Sequence, residues 1–231
     1  MVVAVGEAKR RRLNAEPMVY HHTSTVFTNL LWMDGEIRIE GNKKDAIHPA
    51  LGRVQTDPRF RRAMKDFPPV AWFTTRMDVP RCLIQTHLVF VKDGAKHTIP
   101  LDVEFANAVA LNRVALGFRI SDVPVVPWPE HPGFETSEGR ELNETALDAG
   151  DDPTDWYVSE QAIDLMAMCE IRVSKSIMKP KLVRSDRYLL EAKRLVAICR
   201  ETPGVFIPPS WLKPHEAQQL ARSLGVPIKD S

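Results

Sequence analysis

The chain has 231 residues, of which 44% are hydrophobic and 26% are charged, and its formal net charge of +1 excludes a molecule that attracts nucleic acid by overall charge alone. No apolar run approaches the roughly 18 residues of a membrane span, and the N-terminal basic residues follow a short apolar stretch, the reverse of a secretory signal. The three cysteines are widely spaced, which predicts a reduced, cytoplasmic protein with neither a zinc site nor a disulfide framework.

The first half of the sequence predicts two strands separated by helices, followed by a hairpin. Residues 1–16 are expected to form a flexible basic arm, and "MVYHHT" after it predicts a strand. "STVFTNLLWMDGEI" predicts a helix that Ser24 or Thr25 caps and Gly35 ends. "RFRRAMKDF" predicts a short helix, and "PVAWFTTR" predicts a buried strand. Two apolar runs around Asp93-Gly94 predict the hairpin.

The second half predicts strands and then two helices. "VALNRVALGFRISD" is compatible with a helix or a strand, and the prolines of "VPVVPWPEHPGF" exclude a regular interior element. An acidic loop is expected over 130–155, and "DWYVSEQAI" and "LMAMCEIRVS" predict strands. Apolar residues recur at helical spacing over 185–201, and "KPHEAQQLARSLG" predicts a last helix. This order of elements indicates an α+β fold with a mostly antiparallel or mixed sheet.

Charge is distributed unevenly along the chain. Residues 130–155 contain nine acidic side chains against one basic side chain, whereas residues 172–200 contain nine basic side chains against two acidic ones. One interpretation is a pair of solvated surfaces that neutralise each other. The other is a basic face for a phosphate-bearing ligand, with the acidic segment as a lid or a competitor.

Several common active-site patterns are missing from the sequence. It contains neither GxGxxG nor GxxxxGK[ST], the glycine signatures of two nucleotide-binding folds, and it has no GxSxG elbow. His21 and His22 are adjacent, so on a strand their side chains point to opposite faces and cannot easily bind one metal ion together. His87 and His97 can pair across the hairpin, but without a third ligand we expect no metal site.

Three short boxes stand in order along the chain: "VYHHT" with "TNLLWMDGEI" behind it, then "AWFTTR", then "TDWYVSEQAI". Together they resemble the ADP-ribosyltransferase superfamily, particularly the branch of diphtheria toxin and the poly-ADP-ribose polymerases and its small bacterial and phage members. The resemblance covers roughly residues 17–178 and implies a split, mostly antiparallel sheet with flanking helices. It therefore predicts an ADP-ribosyltransferase-like domain over 17–182, followed by a helical C-terminal segment over 183–231.

The resemblance also implies which residues act on NAD, whose cleavage between nicotinamide and ribose passes through an oxocarbenium-like cation. His21 matches the histidine that hydrogen-bonds a ribose hydroxyl. Trp72 or Phe73 is the expected stacking ring, and only one of them can face the ligand because adjacent strand residues alternate. The expected NAD-binding residues are Tyr20, His21, Thr23, Trp72, Phe73, Thr74 and Tyr157.

The acidic position departs from the pattern of the family. It is occupied by Asp155 rather than by a glutamate, and Glu160 lies five residues further on. A carboxylate at either position can stabilise the developing positive charge, although aspartate reaches less far. The expected catalytic residues are therefore His21, Asp155 and Glu160, with Asp155 favoured over Glu160.

The resemblance implies an NAD-dependent mono-ADP-ribosyltransferase that modifies a macromolecule, either nucleic acid or protein, as a toxin or a phage factor does. The alternative is a catalytically degraded module of the same fold that binds NAD, ADP-ribose or nucleic acid without turnover. A third hypothesis is an interaction protein in which the C-terminal helices act and the rest is scaffold. The strand "DWYVSEQ" lacks the E-x-E box of the arginine-specific branch, which disfavours arginine as the acceptor.

Overall fold

The computed structural model describes residues 16–23, 25–39, 46–48, 52–54, 69–83, 87–92, 95–100, 114–174, 181–210 and 213–228. The strands are β1 (Met18–Thr23), β2 (Glu36–Ile37), β3 (Ala46–His48), β4 (Gly52–Val54), β5 (Ala71–Thr74), β6 (His87–Lys92), β7 (Ala95–Pro100), β8 (Val114–Arg119), β9 (Val126–Pro127), β10 (Trp156–Ser159), β11 (Ile163–Asp164), β12 (Glu170–Ser174) and β13 (Leu182–Arg184). The helices are α1 (Thr25–Asp34), α2 (Ser137–Ala149), α3 (Asp186–Glu201) and α4 (Pro214–Leu224). No helix in the described part of the chain is long and apolar enough to span a membrane.

Seven of the described strands form the main sheet, in the order β13-β12-β8-β1-β5-β10-β9, and these neighbouring strands run antiparallel throughout. The other described strands form two-stranded pairs: β11 with β2, β3 with β4, and β6 with β7. The α+β fold with a mostly antiparallel sheet is therefore confirmed. The hairpin is also confirmed, since β6 and β7 pair from His87 to Pro100.

The main sheet is weakly joined between β1 and β5. All six residues of β1 pair with β8, but only Tyr20 pairs with β5, opposite Thr74. The sheet thus consists of two halves, β13-β12-β8-β1 and β5-β10-β9, that meet at a single residue pair. Backbone groups elsewhere along this junction need other hydrogen-bond partners.

The two faces of the sheet carry separate apolar clusters. Phe73, Leu116 and Phe118 face the main core, which α1 and α3 cover. Trp156 and Val158 belong to a smaller cluster on the opposite face, against which a side chain of α2 packs. Successive strand residues point to opposite faces, so the alternation along β5 and β10 sorts each side chain to one cluster.

Two expectations are corrected by the structure. The acidic loop is wrong, because residues 137–149 form α2: Thr136 caps the helix by accepting from the Gly139 amide, and Gly150 ends it with φ of 81°. The expected boundary between 182 and 183 falls inside β13, and α3 packs on the main core rather than forming a separate segment. The segment "VALNRVALGFRISD", which was compatible with a helix or a strand, contains strand β8.

The remaining element predictions are confirmed or fall outside the described residues. The strand "MVYHHT", the helix ending at Gly35 and the helices α3 and α4 are confirmed. Gly35 and Gly225 end their helices with φ of 73° and 66°. Residues 1–15 of the predicted basic arm over 1–16, the cap at Ser24 and the short helix over 59–67 lie outside the described residues.

Candidate functional site

A cavity of about 310 Å³ lies between the main sheet and α2, at the lower end of the volumes of small-molecule sites. The sheet contributes Tyr20, His21, His22, Trp72 and Trp156 to its lining. The remaining lining residues come from α2 and from the segments around it: Cys82, Leu83, Trp128, Leu142, Asn143, Ala146 and Pro153. Residues of β1 and β5 thus both line the cavity, which lies beside the junction of the two halves of the sheet.

Three of the described lining residues are tryptophans, which make much of the cavity surface aromatic. The ring centroids of Trp72 and Trp128 are 4.8 Å apart with an angle of 63° between the rings, and those of Trp72 and Trp156 are 6.0 Å apart at 83°. Trp128 is fixed on both sides, because its Nε1 donates to Asn143 Oδ1 at 2.7 Å and His131 stacks on its ring at 5.4 Å. Such inclined aromatic surfaces are suited to a flat or cationic ligand.

The two histidines bridge the junction of the sheet. His21 Nδ1 donates to the carbonyl of Trp72, and His22 Nε2 donates to the carbonyl of Arg76, each at 3.0 Å. Side chains of β1 thus satisfy backbone acceptors in and just after β5, where the backbone ladder is missing. The ring of His21 also contacts Phe73 on the core side at 5.6 Å.

Both imidazoles are held neutral. Burial lowers the pKa of His21, and it lowers the pKa of His22 to about 4. Because one ring nitrogen of each residue donates to a carbonyl, the other nitrogen carries a lone pair. His21 Nε2 is therefore an acceptor, and no residue in the described part of the chain is bonded to it.

Two buried polar atoms of cavity residues have no partner among the described residues. They are Nδ1 of His22, an acceptor, and Nε1 of Trp156, a donor. An unsatisfied buried polar group costs about 1–3 kcal/mol. These two atoms therefore destabilise the wall of the cavity. A ligand group that formed hydrogen bonds with them would remove this unfavourable free energy.

A buried carboxylate fixes the loop after β5 to the end of α2. The side chain of Asp151 is fully buried, and its Oδ1 accepts from Arg76 Nη1 at 2.7 Å while its Oδ2 accepts from the Cys82 amide at 2.8 Å. Burial raises the pKa of the Asp151 carboxyl, but hydrogen bonds from the Cys82 and Arg81 backbone and the Arg76 charge outweigh it and leave the pKa below its usual value. Asp151 therefore holds Cys82, which lines the cavity.

The thiol of Cys82 is unsuited to be a nucleophile. Burial raises its pKa to about 12, and the hydrogen bond to Asp151 and the negative charge of that residue act in the same direction. A thiol of this kind stays protonated at neutral pH, whereas the thiolate is the reactive form. In the part of the chain that the structure describes, no cluster of histidine, cysteine and acidic residues is arranged to bind a metal ion.

The structure brings together part of the predicted NAD-binding set. Tyr20, His21 and Trp72 line the cavity. Phe73 is fully buried in the main core, so Trp72 rather than Phe73 faces the cavity. The side chains of Thr23 and Thr74 are buried outside the lining.

The predicted carboxylates and Tyr157 lie outside the lining. Asp155 directly precedes the lining residue Trp156, and its Oδ1 accepts from Thr75 Oγ1 at 3.4 Å. Tyr157 packs against the main core on the other face of β10. Glu160 accepts from His131 Nε2 at 3.0 Å, and 62% of its side chain is exposed.

Sequence reasoning missed Trp128, Asn143 and Asp151. Trp128 follows a proline in a segment without periodicity, and Asp151 is one of nine acidic residues in its stretch. Only their positions in the folded chain distinguish them. Comparisons of the chain with protein-family models, with curated proteins and with solved structures find no significant match.

Proposed function

We propose that the chain is an NAD-dependent mono-ADP-ribosyltransferase that binds the nicotinamide end of NAD in the tryptophan-lined cavity and modifies a macromolecule. The observation that carries the proposal is that His21 and Trp72, from opposite sides of the sheet junction, line one cavity. Two further indoles line the same cavity. A histidine acceptor beside inclined aromatic rings suits a ribose that carries a flat, positively charged pyridinium.

Each group has a role in the proposed transfer. The pyridinium lies against the indole rings, where a desolvated cation–π contact contributes about 2 kcal/mol. His21 is oriented by its bond to the Trp72 carbonyl, so its Nε2 accepts a hydrogen bond from a ribose hydroxyl. When the bond to nicotinamide breaks, the carboxylate of Asp155 stabilises the positive charge that develops on the ribose.

A second candidate is a module that binds NAD or ADP-ribose without turnover. It is favoured by the composition of the wall, since no described lining residue is acidic. It is also favoured by the bond of Asp155 to Thr75, which directs the carboxylate to the residue that follows β5. In this case the cavity binds the ligand and nothing stabilises the cation.

Incubation with NAD labelled in its adenylate half, with and without cell extract, separates these functions. The enzyme releases nicotinamide and transfers label to a macromolecule, and Asp155→Ala lowers the rate about a hundredfold or more. His21→Ala lowers it as well. His215→Ala and Asp148→Ala, which change exposed residues of α4 and α2, serve as matched controls and should leave the rate unchanged.

Each outcome identifies one candidate. Saturable NAD binding without nicotinamide release supports the module, and absence of both binding and turnover rejects both in favour of a scaffold. Unchanged turnover in Asp155→Ala would remove that residue from the proposed mechanism. Digestion of the labelled product with nuclease or protease then shows whether the acceptor is nucleic acid or protein.

A further inference from the structure

Two arginines lie on the cavity face of the sheet, in line with His22. Cross-strand pairing puts His22 opposite Ala115, Ala115 opposite Arg172, and Arg172 opposite Arg184. Residues that are directly opposite on neighbouring strands point to the same face. The cavity and the two guanidinium groups are therefore on one side of the sheet, and neighbouring strands are about 4.8 Å apart.

Arg172 reaches back toward the wall of the cavity. Its Cζ atom lies 5.9 Å from the centroid of the Tyr20 ring, and Tyr20 lines the cavity. The Tyr20 ring packs closely over Gly117, where a Cβ atom would lie 2.9 Å from Tyr20 Cε1 and 3.1 Å from Glu170 Cβ. The guanidinium of Arg172 thus contacts the ring of a residue that lines the cavity.

The pairing of Arg172 with Arg184 needs negative charge nearby, since like charges directly opposite on neighbouring strands destabilise a sheet. Glu170 supplies part of it: one of its carboxylate oxygens pairs with Arg172 and the other lies 3.9 Å from Arg184 Nη1. One partly buried carboxylate therefore faces two guanidinium groups. The side chain of Glu170 is 12% exposed and that of Arg172 is 20% exposed.

Arg184 has a second partner that a ligand can displace. Its Nε donates to Asp186 Oδ1 at 2.9 Å, but the two side chains are 56% and 73% exposed. Exposed ion pairs are weak because water and salt screen them. A group with more than one negative charge, such as a diphosphate, competes effectively with such an aspartate.

We infer that Arg172 and Arg184 bind the phosphate groups of the ligand whose aromatic end occupies the cavity. The inference rests on the proposed function, because it assigns the diphosphate of a dinucleotide to this end of the sheet. Among the described lining residues only the histidines have a basic side chain, so a diphosphate needs cationic partners beyond them. Arg172 and Arg184 are two and three strands from His22, roughly 10 and 14 Å, a span that an extended dinucleotide covers.

The test compares ligands that have phosphates with a ligand that has none. Calorimetry of the wild type, Arg184→Gln and Arg172→Gln is carried out with ADP-ribose, inorganic pyrophosphate and nicotinamide. Loss of a charge-assisted hydrogen bond is expected to lower the affinity for ADP-ribose and for pyrophosphate about tenfold or more in each variant. The affinity for nicotinamide should stay unchanged. Arg194→Gln is the matched control for Arg184→Gln, since the Arg194 side chain is 46% exposed, against 56% for Arg184, and forms an ion pair with Glu191 on α3.

The outcomes separate the inference from the proposed function. If the wild type binds ADP-ribose and both variants bind it equally well, the inference is overturned and the proposed function stands. If pyrophosphate binding depends on the two arginines but neither NAD nor nicotinamide binds, the phosphate site stands and the proposed function falls. An equal loss in Arg194→Gln shows a general effect of net charge and also overturns the inference.

Discussion

Acidification is expected to destabilise the fold through His22. The pKa of this residue is lowered to about 4, chiefly by burial and further by the charges of His21 and Arg76, while the bond to the Arg76 carbonyl and the charge of Asp78 oppose the change. A second proton would bind to Nδ1, which is buried and has no partner among the described residues. The folded chain therefore resists the protonation that the unfolded chain accepts readily.

The size and sign of the effect follow from the two pKa values. In the unfolded chain the pKa is 6.5, and in the folded chain it is about 4. Between these values the unfolded state binds more protons, so stability is full above about pH 6.5 and falls as the pH decreases to about 4. The expected loss at the lower end is about 3 kcal/mol. His21, whose pKa is also lowered, adds a loss in the same direction.

The assay is urea unfolding at about pH 7 and about pH 4.5 for the wild type and for His22→Asn. The variant cannot titrate in this range, so its free energy of unfolding should fall less on acidification, by about 2–3 kcal/mol. Because carboxylates titrate equally in both proteins, the difference isolates His22. His215→Asn, on the exposed face of α4, should behave as the wild type does. Equal acid sensitivity of the wild type and His22→Asn would refute the reasoning.

Four further substitutions test residues that line the cavity or support its walls. Asp151→Ala leaves Arg76 without its buried partner at 2.7 Å and should lower the free energy of urea unfolding by about 3 kcal/mol, unlike substitution of an exposed aspartate. Gly117→Ala places a Cβ atom 2.9 Å from the β1 tyrosine ring and should cost about 1–3 kcal/mol in thermal unfolding. Trp128→Phe breaks the 2.7 Å bond to the α2 asparagine, whereas Trp156→Phe removes an unsatisfied donor. In urea unfolding, Trp128→Phe should therefore be less stable than Trp156→Phe by about 1–2 kcal/mol. A lower stability of Trp156→Phe would contradict the assigned hydrogen bonds.

The strands of the site could be predicted from the sequence because side chains along a strand alternate between the two faces of the sheet. "AWFTTR" placed Trp72 and Phe73 on opposite faces, and the structure has Phe73 in the main core and Trp72 at the cavity. The ends of α1 and α4 were predictable for an equally local reason, since Gly35 and Gly225 adopt positive φ. Local backbone preferences thus determined much of the sheet and helix order.

What the sequence did not reveal depends on contacts between distant segments. The acidic stretch was expected to be a loop, yet Thr136 caps a helix there and Leu142 packs under it against the second cluster. Nothing local separates Asp151 from its acidic neighbours, because its role depends on Arg76, 75 residues away. Likewise, one of the two interpretations of the basic segment was a single basic face, but Arg194 and Arg200 pair with carboxylates away from Arg172.

The adjacent histidines of β1 supply hydrogen-bond donors to backbone carbonyls at the junction between β1 and β5. Opening a sheet leaves backbone acceptors without partners, and a buried acceptor without a partner costs about as much as a lost hydrogen bond. His21 and His22 donate to two such carbonyls from opposite faces of one strand, so the halves can part at β1 and β5 while their acceptors stay paired. This double use means that removal of His21 affects the junction as well as the proposed ribose contact. His21→Asn, whose Nδ2 takes about the position of the donating Nδ1 and can still donate to the Trp72 carbonyl, should therefore retain more stability than His21→Ala, and comparison of their NAD turnover separates the two contributions.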